Sequence, residues 1–318
     1  MAKRRILVIK LGALGDFVLA TGAFKAIRNY HPDALITLLT TAPFAELGRD
    51  CGWFDEVWID GRARAWQFAR WFDLIRRLRA GGFHRVYDLQ TADRTAMYFR
   101  LLKRPRPEWS GIVRGCSHRQ VNPGRGQMHT LDRLADQLAV AGLSNTAGQL
   151  DIHPDLSWAT ADFGKFGLSK DFALVCAGGS AHRLAKRWPA RAFAEFSEWL
   201  SERRIKPVLI GGTAEAATLA DIAAHCRNAV NLCGRTTLPE ITAMARHAQT
   251  AVGNDTGPMH VIAATECPCV VLFSADSDPA RTAPRGAHVT VLRRPRLDSL
   301  SVAEVASAIR FREPPTSA

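Results

Sequence analysis

Three glycine-bearing loops in this chain join a flexible backbone to residues that can move a proton or hold an anion. The first, Lys10-Leu11-Gly12-Ala13-Leu14-Gly15-Asp16, sets one carboxylate at the start of a helical stretch. It contains neither the G-x-G-x-x-G of a dinucleotide fingerprint nor the G-K-[ST] of a P-loop. Asp16 has two readings there, a helix cap or a general base aimed into a cleft. The local sequence by itself favours the cap.

The second loop runs from Ala177-Gly178-Gly179-Ser180 to Lys186-Arg187-Trp188-Pro189. Its glycines and Ser180 leave backbone N–H groups free, and Lys186 and Arg187 add cations just before a helix that Pro189 can open. Exposed amides beside a lysine suit phosphate oxygens, although a basic surface loop explains the same residues. The third loop is Gly253-Asn254-Asp255-Thr256-Gly257-Pro258-Met259-His260. Asp255 or Thr256 can cap a helix and Pro258 fits its first turn. Capping gives no reason for Gly257 or His260, whereas a diphosphate at the helix start does. Asp276-Ser277-Asp278 matches the D-x-D of metal-dependent glycosyltransferases. No further carboxylates stand nearby, and a hard cation needs several oxygens, so a loop beside the ligand is the better reading.

These loops need strands to carry them. Short apolar runs at Ile6–Ile9, Leu35–Leu39, Val57–Ile59 and Val86–Leu89 alternate with helical stretches at about 16–30, 64–80, 91–102 and 127–141. The rhythm lapses between about Ser144 and Lys170. It resumes with strands at Phe172–Cys176, Pro207–Ile210, Ala229–Leu232, Thr250–Val252 and Val270–Phe273, and helices starting near 189, 214, 238, 257 and 301. This βα alternation predicts parallel sheets covered on both faces. The 318 residues suit two such α/β domains in tandem.

The charge is uneven. Residues 61–125 hold 15 Lys+Arg against 4 Asp+Glu, which is +11 of the chain's net +12. Such a concentration suggests an anionic partner. No apolar run is long enough to span a membrane. The start resembles a signal peptide, but Lys10 and Asp16 interrupt it, and it reads as a buried first strand. Seven cysteines include no C-x-x-C and read as buried thiols in a reducing compartment.

Together the three loops resemble those of glycosyltransferase family 9, the bacterial ADP-heptose:lipopolysaccharide heptosyltransferases. Lys10–Asp16 looks like the family's K-x-G-x-x-G-D signature. Lys186-Arg187-Trp188-Pro189 looks like its donor-phosphate loop, and Asp255-Thr256-Gly257 with His260 like its D-[TS]-G-x-x-H nucleotide site. The segment from Phe273 to Pro284 resembles the G-P-T-D-P loop, which makes the D-x-D an accident within it. Asp88-Leu89-Gln90 and residues 128–133 fit the acceptor half. The resemblance runs from about Ile6 to Ala308.

It implies a GT-B fold, two Rossmann-like doubly wound domains facing across a cleft. Residues 1–155 would bind the acceptor, 156–300 the nucleotide sugar, and 301–318 would carry a helix packing back on the first domain. It also implies inverting transfer of heptose from ADP-heptose to the inner core of lipopolysaccharide, with no metal and no cofactor beyond that donor. Asp16 becomes the catalytic base. Ser180, Lys186, Glu215, Asp255, Thr256, Gly257 and His260 fall to the donor, and Gly15, Arg62, Arg64, Gln90 and His129 to the acceptor. Glu215 reads equally as a solvent-facing helix acid. The acceptor would be an anionic glycolipid, Kdo-lipid A or an extended core. The enzyme would be a monomer, cytoplasmic and peripheral on the inner face of the inner membrane of a Gram-negative bacterium. The arginines after Gly61, interleaved with Trp66, Trp71 and Phe72, would meet the glycolipid's phosphates and acidic sugars. The alternatives are a family 9 transferase with another sugar or acceptor, such as O-antigen or a protein, and a basic nucleic-acid-binding protein. The second lacks any RNP motif, zinc finger or helix-turn-helix, and no nucleic-acid partner is expected. A nicotinamide dehydrogenase lacks its glycine fingerprint.

Overall fold

The computed structural model describes residues 3–64, 66–102, 104–144, 150, 152–179 and 187–313. The chain divides into two units, Met1–Trp158 and Ala159–Ala318.

In the first unit, β1 (Arg5–Ile9), β2 (Leu35–Thr40), β3 (Glu56–Ile59), β4 (Arg85–Asp88), β5 (Glu108–Gly111) and β6 (His118–Arg119) form a parallel sheet ordered β3-β2-β1-β4-β5-β6. Its helices are α1 (Leu14–Leu19), α2 (Thr21–Tyr30), α3 (Ala42–Asp50), α4 (Phe68–Ala80), α5 (Asp93–Leu101) and α6 (Thr130–Val140). The second unit repeats the order as β12-β11-β10-β7-β8-β9. Its strands are β7 (Phe172–Cys176), β8 (Lys206–Leu209), β9 (Val230–Asn231), β10 (Thr250–Asn254), β11 (Cys269–Phe273) and β12 (Val289–Arg293). Its helices are α7 (Ala190–Glu202), α8 (Ala216–His225), α9 (Leu238–His247), α10 (Gly257–Ala263), α11 (Pro279–Thr282) and α12 (Val302–Ala308). Both orders are the doubly wound arrangement. The inner strands at Ile6–Ile9, Phe172–Cys176 and Cys269–Phe273 are continuous apolar runs because helices cover both their faces.

Several elements differ from the sequence reading. The stretch 16–30 is two helices, parted at Ala20, where the Thr21 hydroxyl bonds back to the Val18 carbonyl at 2.7 Å. The strands β5, β6 and β12 and the helix α3 went unread; the three strands are short or half-exposed. The expectation that the final helix packs on the first domain is corrected. Val305 and Ile309 join the core of the second unit with Trp188, Phe193, Phe196 and Leu200, and Phe311 stacks on Trp199. Ser301 and Glu304 form the capping box that starts this helix. The seven cysteines are free thiols, five buried and two half-buried. No helix among the described residues is long and apolar enough to cross a membrane.

In the first unit, α2 lies directly against the segment 152–155. The Asp155 N–H donates to the Thr21 hydroxyl at 2.8 Å, and Lys25 pairs with the Asp155 carboxylate. A Cβ at Gly22 would run into the carbonyl oxygens of Ile152 and His153. Alanine in a helix interior otherwise stabilises by about 1 kcal/mol over glycine. Here the clash decides the sign: Gly22→Ala is expected to destabilise the first unit by about 1–3 kcal/mol. Denaturant unfolding of the variant checks this, and a gain in stability would show that the 152–155 segment yields.

Candidate active site

In a doubly wound sheet, the loops after the two central strands leave in opposite directions and open a crevice at the strands' carboxyl ends. In the first unit those strands are β1 and β4, which pair directly from Ile6↔Arg85 to Ile9↔Asp88. The loop after β1 is pinned on three sides. The Leu11 N–H donates to Gln90 Oε1 at 2.8 Å, and the Leu11 carbonyl accepts from Thr41 Oγ1 at 3.1 Å and Arg62 Nη2 at 2.9 Å. Gly12 turns this loop at φ +110°, where a side chain would be strained and would strike the Phe44 ring. Ala13 then occupies the N-cap of α1 and makes no side-chain cap bond. Asp16 sits one turn inside. The cap reading therefore fails: the carboxylate lies beyond the cap position and lines a cavity.

That cavity, of about 220 Å³, is lined by Lys10, Asp16, Gln90, Thr91, Arg125, Thr130, Arg133 and Gln137, among others. Lys10 is buried, and its Nζ donates to the Leu89 carbonyl at 3.3 Å. Burial pushes its ammonium below the usual lysine range, against the pull of Asp16 and Asp88. Arg125 donates to Thr91 Oγ1 at 2.8 Å and to Gln120 Oε1 at 2.7 Å, while Arg133 donates to Thr130 Oγ1 at 2.7 Å. Burial and the neighbouring Arg133 lower the Arg125 guanidinium. The cavity thus sets one lining carboxylate among three cations, an arrangement that can accept a proton from a hydroxyl while holding an anionic group beside it.

The remaining acceptor-side residues are dispersed. Arg62 lines a neighbouring cavity of about 510 Å³ with Gly12, Phe44 and Asp60. Its N–H donates to Asp60 Oδ1 at 2.8 Å. Burial raises Asp60, but hydrogen bonds from Arg94, Tyr98 and the Arg62 N–H outweigh it and hold the carboxyl below its usual range. Arg64 is exposed and lies over the Trp66 ring, with 5.3 Å to the centroid. Gly15 lies in the first turn of α1. His129 is enclosed and caps α6, its Nδ1 accepting from the Leu131 N–H at 3.2 Å. It does not line the Asp16 cavity.

In the second unit the central strands are β7 and β10. Asn254 ends β10 fully buried. Its Nδ2 donates to the carbonyls of Ala177 and Gly178 at 3.1 and 3.0 Å, and its Oδ1 accepts from the Trp188 N–H at 2.9 Å. One side chain therefore ties both ends of the second loop. Ser180 and Lys186 lie outside the described residues. Asp255 accepts from the Ser277 hydroxyl at 2.7 Å. Thr256 stands at the N-cap of α10 without a side-chain cap bond, and Gly257 begins the helix. Capping therefore explains neither Asp255 nor Thr256. His260 is buried one turn in. Glu215 is half-buried beside Gly178 and Gly211, and its Oε2 accepts from the Gly212 N–H at 2.8 Å, so it is no solvent-facing helix acid. In the D-x-D run, Asp278 caps α11 and Ser277 serves Asp255.

Sequence reasoning missed Thr91, Arg125 and Gln137, and gave Lys10, Asp88 and Arg133 no role beyond their motifs. Asp88 ends β4 almost wholly enclosed. Burial raises its carboxyl to about 6, against donation from the Thr91 N–H, the Thr95 hydroxyl and the Gln90 N–H and the charge of Lys10. Gln137 braces the same strand end, its Nε2 donating to the Asp88 carbonyl at 3.0 Å. Only Lys10 after the first strand and Asp-Leu-Gln at the end of β4 hinted at these groups.

The folded state thus holds the Asp88 proton more tightly than the unfolded chain does. The stability this contributes is full below about 3.8 and is lost as pH rises through about 6. Burial and Arg85 depress His31 to about 4, which gives the opposite trend: its contribution is lost as pH falls from 6.5. Comparing Asp88→Asn with the natural protein cancels His31. The variant's relative stability is expected to rise between pH 4 and pH 6, and a flat difference in denaturant titrations would contradict the placement of Asp88.

The family model "Glycosyltransferase family 9 (heptosyltransferase)" matches residues 71–307. Lipopolysaccharide heptosyltransferase 2 of Escherichia coli K12 is 26% identical over 316 residues, covering 91% of this chain and 88% of that protein. Lipopolysaccharide heptosyltransferase 3 of Escherichia coli is 24% identical over 281 residues, covering 82% and 81%. Among solved structures, the family 9 glycosyl transferase of Veillonella parvula superposes with a TM-score of 0.80 at 22% identity, covering 96% of this chain and 95% of that one. E. coli ADP-heptose lps heptosyltransferase II superposes with 0.75 at 21% identity, covering 96% and 97%. With two doubly wound sheets, a loop signature at each central strand pair and a family match over most of its length, the chain belongs to glycosyltransferase family 9, the heptosyltransferase family, and is a glycosyltransferase of the GT-B fold.

Proposed function

We propose that this chain transfers heptose from ADP-heptose to the inner core of lipopolysaccharide, with inversion and without a metal. The observation that carries the reading is the Asp16 carboxylate, spent on no helix cap and set among Lys10, Arg125 and Arg133 at the β1–β4 crevice. An acceptor hydroxyl attacking the anomeric carbon gives its proton to Asp16 while the bond to the ADP oxygen breaks. Gln90 and the two arginines orient an acceptor that itself carries acidic groups, with Arg62 and Arg64 contributing from the adjoining loop. Gly15 lets the acceptor approach the backbone, and His129 supports the end of α6 behind it.

Charge grows on the departing diphosphate. Lys186, Ser180, His260 and the N–H groups at Thr256 and Gly257 meet it, and such preorganised donors form the largest electrostatic contribution in sites of this kind. Asp255 holds the following loop through Ser277, and Glu215 accepts from the ribose hydroxyls. The names of the relatives, lipopolysaccharide heptosyltransferases 2 and 3, support this donor and acceptor. Another neighbour, E. coli heptosyltransferase WaaC with ADP, supports the nucleotide. The reading makes the enzyme a monomer in the cytoplasm, peripheral on the inner membrane where nascent core is built.

Asp16→Ala is expected to lower transfer by about 10²–10⁴-fold, the usual worth of a general base, and to leave ADP affinity near its natural value. Calorimetry with ADP, UDP, GDP and NAD should show selectivity for ADP, and activity should survive EDTA. Full activity in the Asp16 variant, or selectivity for UDP or NAD, would overturn the assignment.

A further inference from the structure

The parallel strands β7 and β10 pair only as far as Cys176↔Gly253. One residue later the backbone ladder between them ends, and the Asn254 side chain bridges the two chains instead. Its own backbone stays fixed on the other side. Asn254 pairs with Leu272 of β11, and the Asp255 N–H donates to the Leu272 carbonyl at 3.0 Å. A buried amide is costly unless its polar atoms find partners. Here the carbonyls of Ala177 and Gly178 require a donor and the Trp188 N–H requires an acceptor, so the Asn254 amide has one orientation.

Two successive carbonyls on one nitrogen fix the other side of the same backbone. The Ala177 carbonyl shares its peptide unit with the Gly178 N–H, and the Gly178 carbonyl shares its unit with the Gly179 N–H. Both units are trans, and in a planar trans peptide the N–H and C=O bonds point in opposite directions. By holding both carbonyls, Asn254 turns two neighbouring N–H groups away from itself. Successive backbone donors of this kind suit an anion with several oxygens. The surroundings hold the same stretch from further sides. A Cβ on Gly178 would come within 3.0 Å of Glu215 Cγ. Arg187 Nη2 donates to the Gly179 carbonyl at 2.6 Å, and the Trp188 indole N–H donates to the Leu300 carbonyl at 2.8 Å.

We propose that Asn254 is a positioning residue for the donor, its amide presenting the Gly178 and Gly179 N–H groups to the diphosphate. The choice of a diphosphate as the anion rests on the ADP-sugar reading above. Asn254 itself touches no substrate, and the two N–H groups carry its effect. Donors fixed before the ligand arrives need no reordering when charge grows on the leaving group.

Calorimetry of the full chain with ADP, inorganic pyrophosphate and adenosine separates this role from a structural one, because adenosine has no phosphate for the two N–H groups to meet. Asn254→Asp keeps the shape and the acceptor for the Trp188 N–H but loses both donors. Asn254→Ser keeps a single hydroxyl. Gly179→Pro deletes one of the two N–H groups and leaves the buried amide in place. Both Asn254 variants are expected to lose about tenfold or more in affinity for ADP and pyrophosphate, and Gly179→Pro about tenfold. Adenosine affinity is expected to stay unchanged in all three. Equal losses for ADP and adenosine would show that Asn254 only holds the fold, and would overturn the proposal. Undiminished pyrophosphate affinity in the Asn254 variants would do the same. Where those variants do not fold, the Gly179→Pro comparison decides. If the natural protein binds pyrophosphate but prefers another nucleotide to ADP, a loss of pyrophosphate affinity in the variants supports the positioning role and removes the ADP reading. A natural protein that binds neither ADP nor pyrophosphate overturns both.

Discussion

A parallel strand can reach its neighbour only by a crossover, and a right-handed crossover fixes on which face its helix lies. When the chain begins in the middle of a sheet and winds outward both ways, the loops after the two central strands must part. Both sheets of this protein obey that constraint with the same order, and the chemistry follows from it. Lys10 and Asp16 leave β1 while Gln90 and Thr91 leave β4, and the crevice between them is the Asp16 cavity. In the second unit the same divergence separates Gly178 after β7 from Asp255 after β10, and Asn254 spans it with three hydrogen bonds.

Crevices of this kind hold charge only if the protein supplies partners for it. A lone buried ion is costly, whereas one with donors and an opposite charge is tolerated. Lys10 is enclosed, yet it has the Leu89 carbonyl and two carboxylates within electrostatic reach. Asp88 is enclosed and accepts from Thr91, Gln90 and Thr95. Asp60 collects Arg94, Tyr98 and a backbone N–H, and through Arg62 that cluster reaches the Leu11 carbonyl at the root of the loop that carries Asp16. Asp88 and Asp60 therefore hold loops in place around the carboxylate of Asp16, which lines the cavity.

The same accounting separates the arginines of the basic segment. Read as a count, the segment has one property, a net +11. Folded, it has several. Arg85 and Arg94 secure strands and loops, Arg125 faces the candidate site, and Arg70 and Arg76 are exposed. Charge density along a chain reports that anions matter, and only the fold distributes the cations among structure, site and surface.

The doubly wound class was legible in the sequence, because buried parallel strands are continuous apolar runs and glycine, proline and capping residues punctuate the loops between them. Membership of the family was legible for the same reason, since its motifs lie at strand ends within short windows. The strands β5, β6 and β12 were not, because β5 and β6 are only four and two residues long and β12 is half-solvated. Nor was the packing of α12 on α7, which depends on which of two apolar surfaces Val305 and Ile309 meet. Whether Asp16 caps a helix or faces a cavity turned on a displacement of three residues at the start of α1, less than spacing rules resolve. The cations around it come from Lys10 and, more than a hundred residues later in the chain, Arg125 and Arg133. Local sequence determined the elements and the chemical groups they carry; the convergence of those groups on one crevice was decided by the tertiary structure, because it depends on which strands become neighbours.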